Sequence, residues 1–108
     1  MSQTSASTSR PVKLADEELA LELSKLRAWK VEGGKLHREY VFADFVAAFG
    51  FMASAALVAQ AMDHHPEWAN VWNKVRVDLM THDAAGITVL DVKLAHAMEE
   101  LAVRQPLK

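Results

Sequence analysis

The 108-residue chain contains no cysteine. That absence excludes a disulfide framework, a thiolate nucleophile and a cysteine-bearing zinc site, and it fits a reducing compartment such as the cytoplasm. Positive charge is not in excess either. Twelve Lys and Arg against 14 Asp and Glu leave a formal charge of -2, so there is no electrostatic case for a nucleic-acid partner. No uninterrupted apolar run approaches the roughly 18 residues that cross a bilayer, and no membrane association is expected. The opening MSQTSASTSRPVK has neither acids nor an apolar run, so it is not a secretory signal. Residues 1–12 are expected to form a disordered segment ahead of a single domain over 13–108.

What is present is ordinary in amount and informative in pattern. Apolar residues make up 51% and charged residues 24%, as in a soluble globular domain, and a chain of this size buries roughly two thirds of its unfolded surface around one core. Leu19, Leu23 and Leu26 recur at helical spacing behind Asp16, Glu17 and Glu18. Acids in a first turn favour a helix start, and this pattern predicts a helix from Asp16 to Trp29. Gly33-Gly34 then separates two alternating runs, as in a tight hairpin. Behind a capping Asp44, Phe45, Ala48, Phe49, Met52, Ala55, Ala56 and Ala59 form a helical stripe. The small residues Ala47, Gly50, Ala53 and Ser54 lie beside it, as a subunit contact or simply as helix formers.

EWANVW and KVRVDLMTH read as a second hairpin turning at Asn73-Lys74, with Val75, Val77, Leu79 and Thr81 on one face. Thr88 and Asp91 form a T-x-x-D capping pattern ahead of a last helix. The order α-β-β-α-β-β-α is that of an α+β fold, a four-stranded antiparallel sheet with three helices packed on one face.

The stretch DHHPEW carries the chemistry. Pro66 ends the second helix at or before His64-His65, and the irregular backbone there lets both imidazoles face a cleft that His82 reaches from its predicted strand. Imidazoles near neutral pH can divide proton donation and acceptance between them. A metal set of His64, His65, His82 and Asp63 is the rival reading. Its spacing is poor, because neighbouring histidines rarely converge on one tetrahedral ion and no H-x-x-x-H or H-E-x-x-H pair exists. No metal or cofactor is expected. Asp63 and Glu67 read as solvated acids, Trp68 and Trp72 as sheet-face packing, Asp91 as the partner of the Thr88 cap, and His37 and His96 as surface or edge residues.

The order His64-His65-Pro66, Trp72, His82, Asp91, set within HHPEWANVWNKV and THDAAGIT, resembles the pterin-4a-carbinolamine dehydratases over residues 14–103. The resemblance implies dehydration of 4a-hydroxytetrahydropterin to quinonoid dihydropterin, in the service of an aromatic amino acid hydroxylase and without a cofactor. It implies that His64, His65 and His82 are catalytic and that Asp63, His64, His65, Met80, Thr81, His82 and Asp83 line the pterin. It further implies a homo-oligomer, a dimer or tetramer, and the expected compartment, from the absence of cysteine, is the cytoplasm. The alternative it carries is a dimerisation module acting as a transcriptional co-regulator without catalysis. Gln60 stands where members of the family commonly carry Glu.

Overall fold

A computed structural model describes residues 11–106. Within them the chain forms α1 (Asp16–Lys25), β1 (Lys30–Glu32), β2 (Lys35–Val41), α2 (Phe45–Met62), β3 (Glu67–Val71), β4 (Lys74–Leu79), a 3-10 turn (His82–Ala84) and α3 (Val89–Ala102). The four strands make one antiparallel sheet in the order β1-β2-β4-β3. In register, Leu36 faces Leu79 and Tyr40 faces Val75. These residues and Val77 are buried, whereas Glu39, Val41, Lys74 and Arg76 on the other face are exposed. All three helices therefore cover one face.

The core is built where period-2 strands meet period-3.6 helices. Ala47, Ala48, Phe51, Ala55 and Ala59 of α2 and Val92, Leu94, Ala95 and Met98 of α3 close over the sheet. Phe51 rests its ring against Tyr40 and Phe42, with centroids 4.8 and 5.1 Å away. Burial of a ring of this size contributes about 2–3 kcal/mol. Gly33 and Gly34 both take positive φ, 61° and 78°, as the β1–β2 hairpin requires.

Three boundaries differ from the sequence expectation. The first helix stops at Lys25, where Leu26 leaves helical angles. Trp29 then turns inward, 4% exposed, and its indole N–H donates to Glu99 Oε2 at 3.0 Å. The second hairpin turns at Trp72-Asn73, one residue early. Asn73 is buried and exchanges backbone and amide bonds with Phe42, so Trp72 takes the left-handed position, φ 50°, and is exposed rather than packed on the sheet. The last strand ends at Leu79, and Met80 to His82 leave the ladder because Thr81 pairs instead with Gly86.

Helix α2 is rotated from the expected stripe. Phe45, Phe49 and Ala56 are exposed, and Ala47 is buried. The helix has 18 residues, mean hydropathy 1.8 and no charged side chain. By length and composition alone it passes for a membrane span, as the apolar core helix of a globular domain also does. Gly50, Ser54 and Gln60 interrupt the apolar run, so no uninterrupted stretch approaches 18 residues. In this fold one side of α2 faces β4 and α3, and the other leaves Phe45, Val46, Phe49 and Leu57 exposed.

Candidate active site

The end of α2 sets the site. Asp63 adopts a left-handed conformation, φ 52°, and its N–H bonds to Gln60 O at 3.1 Å while the His64 N–H bonds to Ala59 O at 3.0 Å. These paired bonds define a Schellman stop, and Pro66 just beyond prevents the helix from resuming. The reversal sends the two neighbouring histidines to different environments. His64 is buried and His65 is exposed.

His64 Nε2 lies 2.6 Å from Asp91 Oδ1. Asp91 is the third residue of α3 and has no exposed surface. Its other oxygen accepts from the Thr88 N–H at 2.8 Å and from the Thr81 hydroxyl at 2.9 Å. Thr88 Oγ1 sits 2.7 Å from Thr81 Oγ1 and accepts the Leu90 N–H. The protons can be assigned: the Thr88 hydroxyl donates to Thr81, the Thr81 hydroxyl donates to Asp91, and the carboxylate is acceptor only. A carboxylate there also gains from the helix N-terminus. His64 must then donate through Nε2, which leaves the lone pair of the neutral ring on Nδ1.

The other two imidazoles follow the same rule with different partners. His65 Nε2 is 2.9 Å from Gln60 Oε1. His82 Nε2 is 3.2 Å from Glu67 Oε2, and Glu67 Oε1 is 2.6 Å from Lys35 Nζ. The hydrogen bond from Lys35 holds the Glu67 carboxyl below the usual range, with a smaller contribution from His82. His82 rides on the 3-10 turn, closed by Ala84 N–H to Thr81 O and Ala85 N–H to His82 O.

A cleft of about 340 Å³ opens between these elements, within the size range of small-molecule sites. Asp63, His64, His65, Met80, Thr81, His82 and Asp83 all line it, joined by Pro11 and Leu90. The sequence reading missed Pro11, Leu90 and the part played by Glu67, whose carboxylate forms ion-pair contacts with both Lys35 and His82. Asp91 is the Thr88 cap partner as read, but its second oxygen serves His64. Nothing local marked these contacts, since Glu67 and Asp91 meet their histidines across separate elements. Among the described residues no three His, Asp or Glu side chains converge as a ligand set. His37 is buried on the sheet's far face, 2.8 Å from Asp78, and is not the surface residue expected. His96 is half-buried, 3.9 Å from Glu22, and does not reach the cleft.

The profile of the pterin 4 alpha carbinolamine dehydratase family matches residues 12–101. The chain belongs to that family. A Solibacter usitatus relative, provisionally named pterin-4-alpha-carbinolamine dehydratase, is 57% identical over 90 residues, covering 83% of this chain and 95% of its own. A Rhizobium johnstonii relative with the same provisional name is 51% identical over 85 residues, covering 77% and 84%. The crystal structure of a Brucella melitensis protein described as a transcriptional coactivator/pterin dehydratase superposes with a TM-score of 0.81 at 44% identity, covering 83% of this chain and 98% of that one. The α-β-β-α-β-β-α order is thus shared with a solved pterin dehydratase structure.

Proposed function

We propose that the protein dehydrates 4a-hydroxytetrahydropterin to quinonoid dihydropterin with His64, His65 and His82 as its proton-transfer groups. The observation that carries this reading is the cleft itself. Three imidazoles face one volume, each turning Nε2 to a protein acceptor, so that Nδ1 is left for a ligand. In the reaction, one imidazolium protonates the 4a-hydroxyl, the C4a–O bond breaks as the N5 lone pair forms the C4a=N5 bond, and a neutral imidazole takes the N5 proton. Water leaves and no electrons are exchanged. General acid and general base steps contribute about 100-fold to 10,000-fold each. The backbone of Asp63 to His65 and of Met80 to Asp83 borders the pterin plane in this reading.

The apolar side of α2, with Phe45, Val46, Phe49 and Leu57 exposed and no charge along the helix, favours a homo-oligomer assembled through that helix. The same surface favours a second reading, a binding module of the kind the coactivator half of the Brucella protein's description names. The physiological setting we propose is cytoplasmic, regenerating the tetrahydropterin consumed by an aromatic amino acid hydroxylase.

The test is direct. Purified protein mixed with freshly generated 4a-hydroxytetrahydropterin is expected to speed its dehydration, followed by pterin absorbance. A rate equal to that of buffer at every protein concentration sinks the enzymatic reading and leaves the binding module.

A further inference from the structure

Glu67 lies outside the cleft lining, yet its carboxylate joins side chains from two other elements. Oε1 meets Lys35 Nζ at 2.6 Å and Oε2 meets His82 Nε2 at 3.2 Å. Lys35 opens β2 and Glu67 opens β3, and these strands flank β4 on either side. Leu36 pairs with Leu79 and Glu67 with Asp78, so the ion pair arches over β4 near its C-terminal end, where the chain enters the His82 turn. The pair is partly exposed, 32% and 42% by side chain, and such pairs add little stability. Its location is better explained by what the second carboxylate oxygen holds.

His82 needs holding. Its side chain is 75% exposed, so packing does not select its rotamer, and an exposed imidazole free to turn presents either nitrogen to a ligand. An ionised carboxylate against Nε2 removes that freedom, because it accepts only an N–H and so requires the tautomer whose lone pair is on Nδ1. Lys35 in turn fixes the carboxylate. The ammonium occupies one oxygen and favours the charged form, as the depressed titration of Glu67 reflects.

We propose that Glu67 is a positioning residue that sets the rotamer and tautomer of His82, and that Lys35 acts on the reaction only by fixing Glu67. The kinetic part of this proposal rests on the dehydratase reading above. The structural part does not.

The experiment pairs ¹⁵N NMR of the His82 ring with kinetics of Glu67→Ala, Glu67→Gln, Lys35→Met, His82→Ala and the double variants. In the wild type His82 is expected as the Nε2–H tautomer, and in Glu67→Ala as a mixture. Unchanged His82 ring resonances in folded Glu67→Ala overturn the proposal whatever the assay gives. Glu67→Ala is expected to lower kcat about 10-fold with little change in KM. Glu67→Gln, which keeps an acceptor for Nε2, recovers part of that loss, and Lys35→Met costs about 2-fold to 3-fold. Neither Lys35→Met in the Glu67→Ala background nor Glu67→Ala in the His82→Ala background should add to the loss. Equal, multiplicative losses in both backgrounds point to a general structural role and overturn the positioning claim. If His82→Ala keeps full activity, the assignment of His82 to the reaction fails, and the NMR result alone decides the Glu67 contact.

Discussion

Asp91 Oδ1 stands 2.6 Å from His64 Nε2 while Asp91 Oδ2 accepts the Thr88 N–H at 2.8 Å. One carboxylate thus caps α3 and fixes an imidazole at the end of α2. This coupling makes Asp91→Asn a sharp test. The Thr88 N–H requires an oxygen in the Oδ2 position, so the amide nitrogen must face His64. Nε2 is then forced to accept, and Nδ1 carries the hydrogen. Wrong-tautomer substitutions behind a catalytic imidazole are severe, and kcat is expected to fall about 100-fold or more with the cap and the melting temperature largely kept. Asp91→Ala removes both functions and should also cost about 2–4 kcal/mol in stability, through the orphaned Thr88 N–H and Thr81 hydroxyl. A folded Asp91→Asn protein with wild-type kcat rules out a role for the His64 tautomer in the rate.

Tyr40 is the single tyrosine of the chain, which makes its titration visible. Burial, followed by the hydrogen bond to Glu99, pushes the phenol far above its ordinary value of about 10. The sign follows from linkage. A group whose pKa is raised on folding gives stability that is fully present below pH about 10 and is lost as pH climbs above it, because only the unfolded chain releases the proton there. Tyrosinate absorbance at 295 nm is therefore expected to appear together with loss of the circular dichroism signal, not before it. Tyr40→Phe should abolish the absorbance change and cost about 0.5–1.5 kcal/mol for the Glu99 bond. A reversible rise at 295 nm near pH 10 in the folded protein contradicts this account of the core.

How far the sequence foretold these features depends on range. Gly33-Gly34, the Thr88-x-x-Asp91 cap and the helix stop before Pro66 are local signals, each decided within four residues, and each stands in the structure as read. Trp29 and Trp72 were misplaced because distant partners decide them: Glu99 takes the indole of the first, and the docking of Asn73 on Phe42 sets the turn that exposes the second. The face of α2 was illegible for a different reason. Apolar residues surround the helix on all sides, so no period separates the buried Phe51 from the exposed Phe49. The cleft's seven expected lining residues lie in two short segments, 63–65 and 80–83, which the fold brings together. The acids behind them, Glu67 and Asp91, carry no local mark of the histidines they meet.

The exposed side of α2 yields a prediction of assembly. Phe49 is 55% and Leu57 74% exposed, and Ala53 lies between them on the same side. If a second copy covers this stripe, Ala53→Arg places a charge in an apolar contact, and light scattering should report a smaller particle with the helical circular dichroism retained. Phe49→Glu should act the same way. A mass equal to the wild type in both variants moves any interface away from α2.

The last prediction concerns the division of labour among the imidazoles. His65 and His82 are both exposed, on separate elements, with different acceptors on Nε2, the Gln60 amide and the Glu67 carboxylate. Neither is part of the core, so replacing either should leave the melting temperature within about 1 °C or 2 °C. His65→Ala and His82→Ala are each expected to lower kcat about 10-fold or more, and the double variant should lose less than the product because the groups act on one substrate as a unit. His37→Ala is not a neutral control. His37 is 7% exposed and bonded to Asp78 at 2.8 Å, so its loss should lower stability while sparing the rate of the folded protein. His96, half-buried and 3.9 Å from Glu22, is the better comparison, and His96→Ala should change neither quantity. If folded His65→Ala and His82→Ala proteins keep the wild-type kcat and KM for carbinolamine dehydration, proton transfer does not pass through these rings. The cleft would then be a pterin-sized site whose chemistry lies with His64 and its buried carboxylate alone.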